Sequence, residues 1–216
     1  MKIACLGGGP AGLYFAISMK LRDPSHDITV IERNRADDTF GWGVVLSDET
    51  LANLHENDPV SAAAIKEYFA YWDDIALIHK GQRLVSSGHG FCGIGRKKLL
   101  MLLQDRASAL GVTLKFETDI DALCADHDLV VAADGVNSRI RAHFEDAFRP
   151  EIDRRACKFV WLGTRQKFDD AFTFIFEETR HGWVWAHAYQ FEEDTATFIV
   201  ECSEDTWDAW GFGDMT

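Results

Sequence analysis

Basic residues are scarce in this chain: 22 Lys and Arg stand against 35 Asp and Glu, a net charge of −13. That balance argues against nonspecific nucleic-acid binding, where Lys and Arg must neutralise phosphates. It argues equally against docking on an anionic membrane surface. Cysteine pairing is also missing. Cys5, Cys92, Cys124, Cys157 and Cys202 are odd in number, and none forms a CxxC pair. Neither a disulfide framework nor a zinc site is suggested, and reduced thiols packed in a core are expected. No apolar run approaches the length of a membrane span. The N-terminus runs Met1-Lys2-Ile3-Ala4-Cys5-Leu6 straight into glycines, with no room for a secretory segment. A cytoplasmic protein is therefore expected. His55, His79, His89, His181 and His187 show no HExxH-like spacing, so no metal site is expected and each is read as an exposed or core histidine.

What is present is an ordinary globular composition, 47% hydrophobic and 26% charged, without repeats or low-complexity runs. Residues 2–6 (KIACL) are a short apolar run, read as a buried parallel strand. Residues 10–22 read as a helix with Leu13, Ala16, Ile17 and Met19 available for its inner face, and 28–32 (ITVIE) as a second strand. Together they make a β-α-β unit of the usual size. A polar, Gly-rich loop is expected over 33–47, a helix around 59–70, and extended segments near 74–79 and 82–86. A strong helix over 96–109 ends at Gly111. Strands at 112–117 and 128–133 follow. Beyond residue 150 the segments 157–164, 172–178, 183–190 and 195–202 are aromatic and β-branched with near-alternating polarity, the pattern of antiparallel strands.

Gly7-Gly8-Gly9-Pro10-Ala11-Gly12 is a G-x-G-x-x-G string between strand and helix. Gly7 permits the tight turn, Gly9 lets a pyrophosphate approach the backbone, and Gly12 lets the helix pack closely on the strands. Pro10 suits the first helical turn, whose N–H would be unpaired anyway. The free N–H groups there, with the helix dipole, favour an anion. Glu32 stands 20 residues beyond Gly12, the spacing of a carboxylate that accepts from ribose hydroxyls. These residues predict an adenine-dinucleotide site without separating FAD from NAD.

Three further groups of residues carry a family resemblance. Ala133-Asp134-Gly135-Val136-Asn137-Ser138-Arg139-Ile140-Arg141 follows a strand and is similar to the D-G-x-x-S-x-x-R motif of flavoprotein hydroxylases of the para-hydroxybenzoate hydroxylase type. Gly95-Arg96, opening a Leu-rich helix, resembles that family's helix-start arginine. Arg33 beside Glu32 matches its Glu-Arg pair. The resemblance implies FAD as cofactor. Arg96 would reach the FAD phosphates with a planar guanidinium, Arg33 would lie by the adenosine end, and Ala133, Asp134 and Gly135 would belong to the same site. The run Asp38–Asp48 (DTFGWGVVLSD), with the opening Ile3–Met19, is similar to the subgroup acting on salicylyl-CoA and aminobenzoyl-CoA thioesters; a hydroxylase of violacein biosynthesis is a more distant relative. Trp42 in that run is read as a loop aromatic packed on its own domain.

The resemblance implies a group A flavoprotein monooxygenase that consumes NADH or NADPH and dioxygen to hydroxylate a small aromatic substrate. No residue stands out as a catalytic base. The expected fold is α/β: a Rossmann-like FAD-binding domain of the GR2 type over 1–150, with an inserted helical and β segment at about 45–95. A partial antiparallel β substrate domain over 151–216 would follow. The family's Gly-Asp motif, strand before and helix after, has no match. Gly213-Asp214 imitates the dipeptide alone, and the chain is expected to be truncated at its C-terminus. Two rival readings stay open. An NAD-dependent Rossmann dehydrogenase explains Gly7, Gly9, Gly12 and Glu32 but not 134–141 or Arg96. A non-catalytic nucleotide-binding fragment is the other.

Overall fold

The computed structural model describes residues 1–119, 126–168 and 170–214. Along the first half run β1 (Lys2–Leu6), α1 (Pro10–Arg22), β2 (Asp27–Ile31), β3 (Gly43–Ser47), α2 (Asp48–Asn57), α3 (Pro59–Lys66), β4 (Ala70–Trp72), β5 (Ile75–His79), β6 (Gln82–Ser86), β7 (Phe91–Gly95) and α4 (Arg96–Ala109). Then come β8 (Thr113–Lys115), β9 (Leu129–Ala132), α5 (Arg139–His143), α6 (Glu145–Phe148), β10 (Cys157–Thr164), β11 (Phe172–Thr179), β12 (Gly182–Glu192), β13 (Thr195–Ser203) and α7 (Glu204–Trp210). They form two compact units. Met1–Thr39, Leu54–Ile65 and Lys97–Ile152 make the first; Phe40–Asn53, Lys66–Arg96 and Asp153–Thr216 make the second.

The first unit is built on a parallel sheet ordered β8-β2-β1-β9. In central β1, Ile3, Ala4, Cys5 and Leu6 are all fully buried, which is why the strand reads as an unbroken apolar run. Burial also pushes the Cys5 thiol up to about 11, so it packs as a small neutral side chain. Helix α1 turns Leu13, Ala16 and Ile17 inward at i, i+3 and i+4. Burying Leu13 and Ile17 contributes about 2 kcal/mol each. Helix α4 hides Leu99, Leu100, Leu103 and Ala107 in the same way. Gly111, at φ +80°, lets the chain leave that helix.

One polar group is sealed within this unit. Asp58, only 1% exposed, receives Arg106 Nε and Nη2 at 2.8 Å each and the Ser61 hydroxyl at 2.6 Å. Burial works against the ionised carboxyl, but the Arg106 and Ser61 hydrogen bonds and the Arg106 charge hold it below the usual carboxylate range.

The second unit contains a six-stranded sheet ordered β10-β13-β12-β11-β5-β6, antiparallel except where β11 meets β5. Lys80 and Gly81 join β5 to β6 with φ of +50° and +75°. Two left-handed residues in a two-residue loop suit the twist of a hairpin. A three-stranded sheet, β3-β7-β4, packs beside it. Tyr189 donates its hydroxyl to the Gly43 carbonyl at 2.7 Å, and Gly43 N–H donates to Thr197 Oγ1 at 3.1 Å. A Cβ on Gly93 would lie 2.4 Å from the Gln190 carbonyl oxygen, so β7 approaches β12 only because that position is glycine.

Several sequence expectations need correction. The loop expected over 33–47 ends in β3, and its flanking glycines had masked the strand. The helix expected over 59–70 stops at Lys66, and the chain is extended again from Ala70. Helix α2 was not anticipated: none of its residues is buried, so no apolar stripe marks it. Strand β7, FCGIG, carries two glycines and did not read as a strand. After β13, helix α7 follows, with Ser203 as its N-cap accepting from Thr206 N–H. Cys157 is exposed rather than packed in a core, whereas Cys5, Cys92 and Cys202 are buried; Cys124 lies outside the described residues. No described helix is long and apolar enough to cross a membrane.

Candidate dinucleotide site

The turn between β1 and α1 is made by steric necessity. Gly7 has φ +115°, and a Cβ there would lie 2.3 Å from the Ala133 carbonyl oxygen. A Cβ on Gly12 would lie 2.1 Å from the Gly7 oxygen and 3.3 Å from the Ala133 side chain. Gly7 and Gly12 thus let β1, the start of α1 and the end of β9 pack in one tight layer. Gly9 differs: nothing lies within 4 Å of where its Cβ would be. It is the N-cap residue of α1 and offers no side chain to the helix N–H groups. Pro10 stands at the first position, and no acidic residue occupies the first turn. Pro10 and Ala11 are exposed. The result is an open helix N-terminus with unclaimed donors, suited to an anion.

Glu32 sits just past β2 and is tied to that turn. Its Oε2 accepts from Gly8 N–H at 2.8 Å and its Oε1 from Asn34 N–H at 2.8 Å. Each carboxylate oxygen keeps acceptor capacity beyond those bonds. Arg33, next to it, is exposed and makes no ion pair among the described residues.

The segment after β9 is stitched by its own side chains. Asp134 accepts from the Ser138 hydroxyl at 2.6 Å, from Arg139 N–H at 2.8 Å and from Ile140 N–H at 3.2 Å. Partial burial pushes its carboxyl upward, but these bonds outweigh that and hold it below the ordinary range. Ser138 caps α5 by accepting from Arg141 N–H, and the Arg141 guanidinium donates to the Val136 carbonyl. Gly135 has φ +86° and open space at its Cβ position. An open cavity of about 340 Å³ is lined by Asp134, Gly135, Ser138, Arg141, Phe148 and Pro150, with Ala132.

The first unit therefore gathers Gly7, Gly9, Pro10, Ala11, Gly12, Glu32, Ala133, Asp134 and Gly135. Arg96 belongs to the second unit. Its backbone N–H donates to the Trp42 carbonyl at 2.8 Å, and its guanidinium lies 5.9 Å from the Trp161 ring centroid. Trp42 and Trp161 each lie on a glycine across from them: a Cβ on Gly41 would meet Trp161 at 2.6 Å, and one on Gly163 would meet Trp42 at 2.7 Å. Trp42 therefore packs within its own unit. Sequence reading missed Trp161 and the aromatic residues of β11 and β12, because only strand pairing collects them on one face. Gly213-Asp214 lies in a 3-10 turn after α7, not between strand and helix. Among the described residues no His, Cys, Asp and Glu cluster could hold a metal.

No protein-family model matches the chain. It is 46% identical over 166 residues to a salicyloyl-CoA 5-hydroxylase of Streptomyces, covering 76% of this chain and 32% of that protein. It is 36% identical over 173 residues to a protodeoxyviolaceinate monooxygenase of Chromobacterium violaceum, covering 77% and 46%. The chain thus spans a third to under half the length of these curated relatives. Its fold matches a probable FAD-dependent monooxygenase of Pseudomonas aeruginosa, with a TM-score of 0.76 at 16% identity, over 97% of this chain and 62% of that one. It also matches 2-methyl-3-hydroxypyridine-5-carboxylic acid oxygenase, with a TM-score of 0.76 at 19% identity, over 94% and 58%.

Proposed function

We propose that the chain is part of an FAD-dependent aromatic-ring monooxygenase and that its first unit holds the adenine-dinucleotide end of FAD. The observation that carries this is the open, uncapped start of α1 over Gly9, beside a glutamate already fixed to the same turn. The backbone of Gly9, Pro10, Ala11 and Gly12 would take the pyrophosphate. Glu32 would accept from the ribose hydroxyls with the acceptor capacity its two backbone bonds leave free. Arg33 is exposed beside it for the adenosine end. Ala133, Asp134 and Gly135 complete the site: Asp134 braces the segment, and Gly135 leaves room for close approach.

Bound FAD supplies hydride uptake from NADH or NADPH and activation of dioxygen for insertion of one oxygen into an aromatic ring. The residues of this chain contribute orientation and an apolar surface. We take the substrate to be a small aromatic, in the form of an aryl-CoA thioester, on the strength of the salicyloyl-CoA relative. Residues 1–150, apart from an inserted segment at about 45–95, would form the dinucleotide part and 151–216 part of the substrate sheet, in the cytoplasm. The test is to follow NADH and NADPH oxidation by the flavin-loaded protein with salicyloyl-CoA and 2-aminobenzoyl-CoA. Oxidation stimulated by the thioesters, with a hydroxylated product, is expected. Flavin binding without any stimulation by either thioester would remove the substrate assignment.

A further inference from the structure

The second unit carries an open apolar cavity at one end of its six-stranded sheet. Register sets His79 of β5 beside Phe176 of β11, and Phe176 opposite Trp185 of β12. Side chains two apart along a strand share a face, so Leu77 and Trp183 stand on that same surface. Leu77, His79, Phe176 and Trp183 line a cavity of about 390 Å³, within the range of small-molecule sites, about 300–1,000 Å³. The His79 and Trp183 rings stand 5.6 Å apart at 31°, and Leu77 and Trp183 are both exposed. An exposed indole beside apolar neighbours marks a surface that a ligand covers.

The polar content of the cavity is small and specific. His79 Nδ1 lies 3.3 Å from the Phe176 carbonyl oxygen. A carbonyl only accepts, so Nδ1 is the donor, and in the neutral ring Nε2 is an acceptor. That Nε2 makes no hydrogen bond among the described residues. Lys80, next to His79, and Glu178, opposite Trp183, pair with each other at 3.5 Å. The walls therefore suit an uncharged group that has apolar surface and an N–H to donate.

Two relatives are named for an aryl group carried on a thiol arm of that kind. One is the salicyloyl-CoA 5-hydroxylase. The other is a 3-hydroxy-4-methyl-anthranilyl-[aryl-carrier protein] 5-monooxygenase of Streptosporangium sibiricum, 31% identical over 163 residues, covering 76% of this chain and 46% of that protein. Coenzyme A and a carrier protein present an acyl group on the same pantetheine thiol, an uncharged arm of methylenes, a dimethyl carbon and two amides.

We propose that the cavity of Leu77, His79, Phe176 and Trp183 binds the pantetheine arm of an aryl thioester. The methylene and methyl groups of the arm lie against Leu77 and Phe176, an amide plane lies on the Trp183 indole, and an amide N–H donates to His79 Nε2. This rests on the aryl-thioester reading above and deepens it by assigning a place to the arm that does not react.

The experiment titrates the 216-residue protein calorimetrically with salicyloyl-pantetheine and with salicyloyl-N-acetylcysteamine, which share ring and thioester and differ only in the length of the arm. The wild-type protein is expected to bind the pantetheine thioester about tenfold tighter, the worth of one net hydrogen bond. Trp183→Ala, which removes the indole face, and His79→Phe, which removes the acceptor and keeps a ring, should each bring the two affinities together. Circular dichroism checks the fold of each variant, and Trp183 is exposed, so its replacement spares the core. Salicyloyl-CoA and a salicyloyl-loaded carrier protein should each compete with salicyloyl-pantetheine, and the tighter competitor identifies the source of the arm. Equal binding of the two thioesters by wild type, no binding of either, or an undiminished preference in a folded Trp183→Ala protein overturns the assignment. FAD binding, read separately by flavin fluorescence, should be the same in wild type and Trp183→Ala. Loss of FAD binding with the arm preference intact would contradict the monooxygenase reading and not this one; FAD binding without the arm preference would do the reverse.

Discussion

Glu32 Oε2 accepts the backbone N–H of Gly8 at 2.8 Å, tying the end of β2 to the turn that opens α1. The same carboxylate is thus an internal brace of the glycine turn and the acceptor proposed for ribose. Glu32→Ala removes both roles and should weaken FAD binding more than tenfold. Glu32→Gln keeps an acceptor for Gly8 N–H and should lose less, because only the charge-assisted part is removed. Titration of flavin fluorescence with each variant measures the two losses.

Gly7 leaves no room for a side chain. With φ +115° and the Ala133 carbonyl 2.3 Å from a would-be Cβ, Gly7→Ala combines backbone strain with a main-chain clash. A loss of at least about 2 kcal/mol is expected, read as a lower urea midpoint. Gly9→Ala, where the space is open, should leave the urea midpoint nearly unchanged and lower FAD affinity instead. That pair of outcomes separates the folding glycine from the binding one.

Asp58 and Arg106 test the interior of the first unit. Asp58→Asn leaves a partly buried guanidinium without its counter-charge and should destabilise by about 3 kcal/mol. The thermal unfolding midpoint reports it.

Acid should act through the same kind of group. Asp58 and Asp134 both have carboxyls held below the ordinary range, by Arg106 and Ser61 in one case and by Ser138 with two backbone N–H groups in the other. A carboxyl with a depressed folded-state pKa binds fewer protons folded than unfolded. Its contribution is therefore complete above the unfolded value of about 3.9 and is lost as the pH falls through the folded one. Urea midpoints measured from pH 6 to pH 3 should fall steeply below about pH 4. The fall should be shallower in Asp58→Asn, and Ser138→Ala should start about 1 kcal/mol lower through the lost cap of α5.

Much of the first unit was legible in sequence because its signals are local. A central parallel strand is buried on both faces and reads as an apolar run, and Gly7, Gly9 and Gly12 stand at offsets fixed by the turn. The start of α4 at Arg96 was legible for the same reason. The second unit was less so. Its four long strands announced themselves by alternation, but β7 carries glycines that only its approach to Gln190 and Glu192 explains. Helix α2 buries nothing and so has no stripe. Trp161 beneath Arg96, and His187 between Phe174 and Ile199, gain their surroundings from strand register across long sequence separations. Residue type and spacing carry no trace of that pairing.

The most direct measurement is a calorimetric titration of the purified protein with FAD and, in parallel, with NAD. The account predicts FAD binding that Glu32→Ala weakens, with NAD binding far weaker or not at all. Tight NAD binding with no response to FAD would contradict it and return the glycine turn to a dehydrogenase.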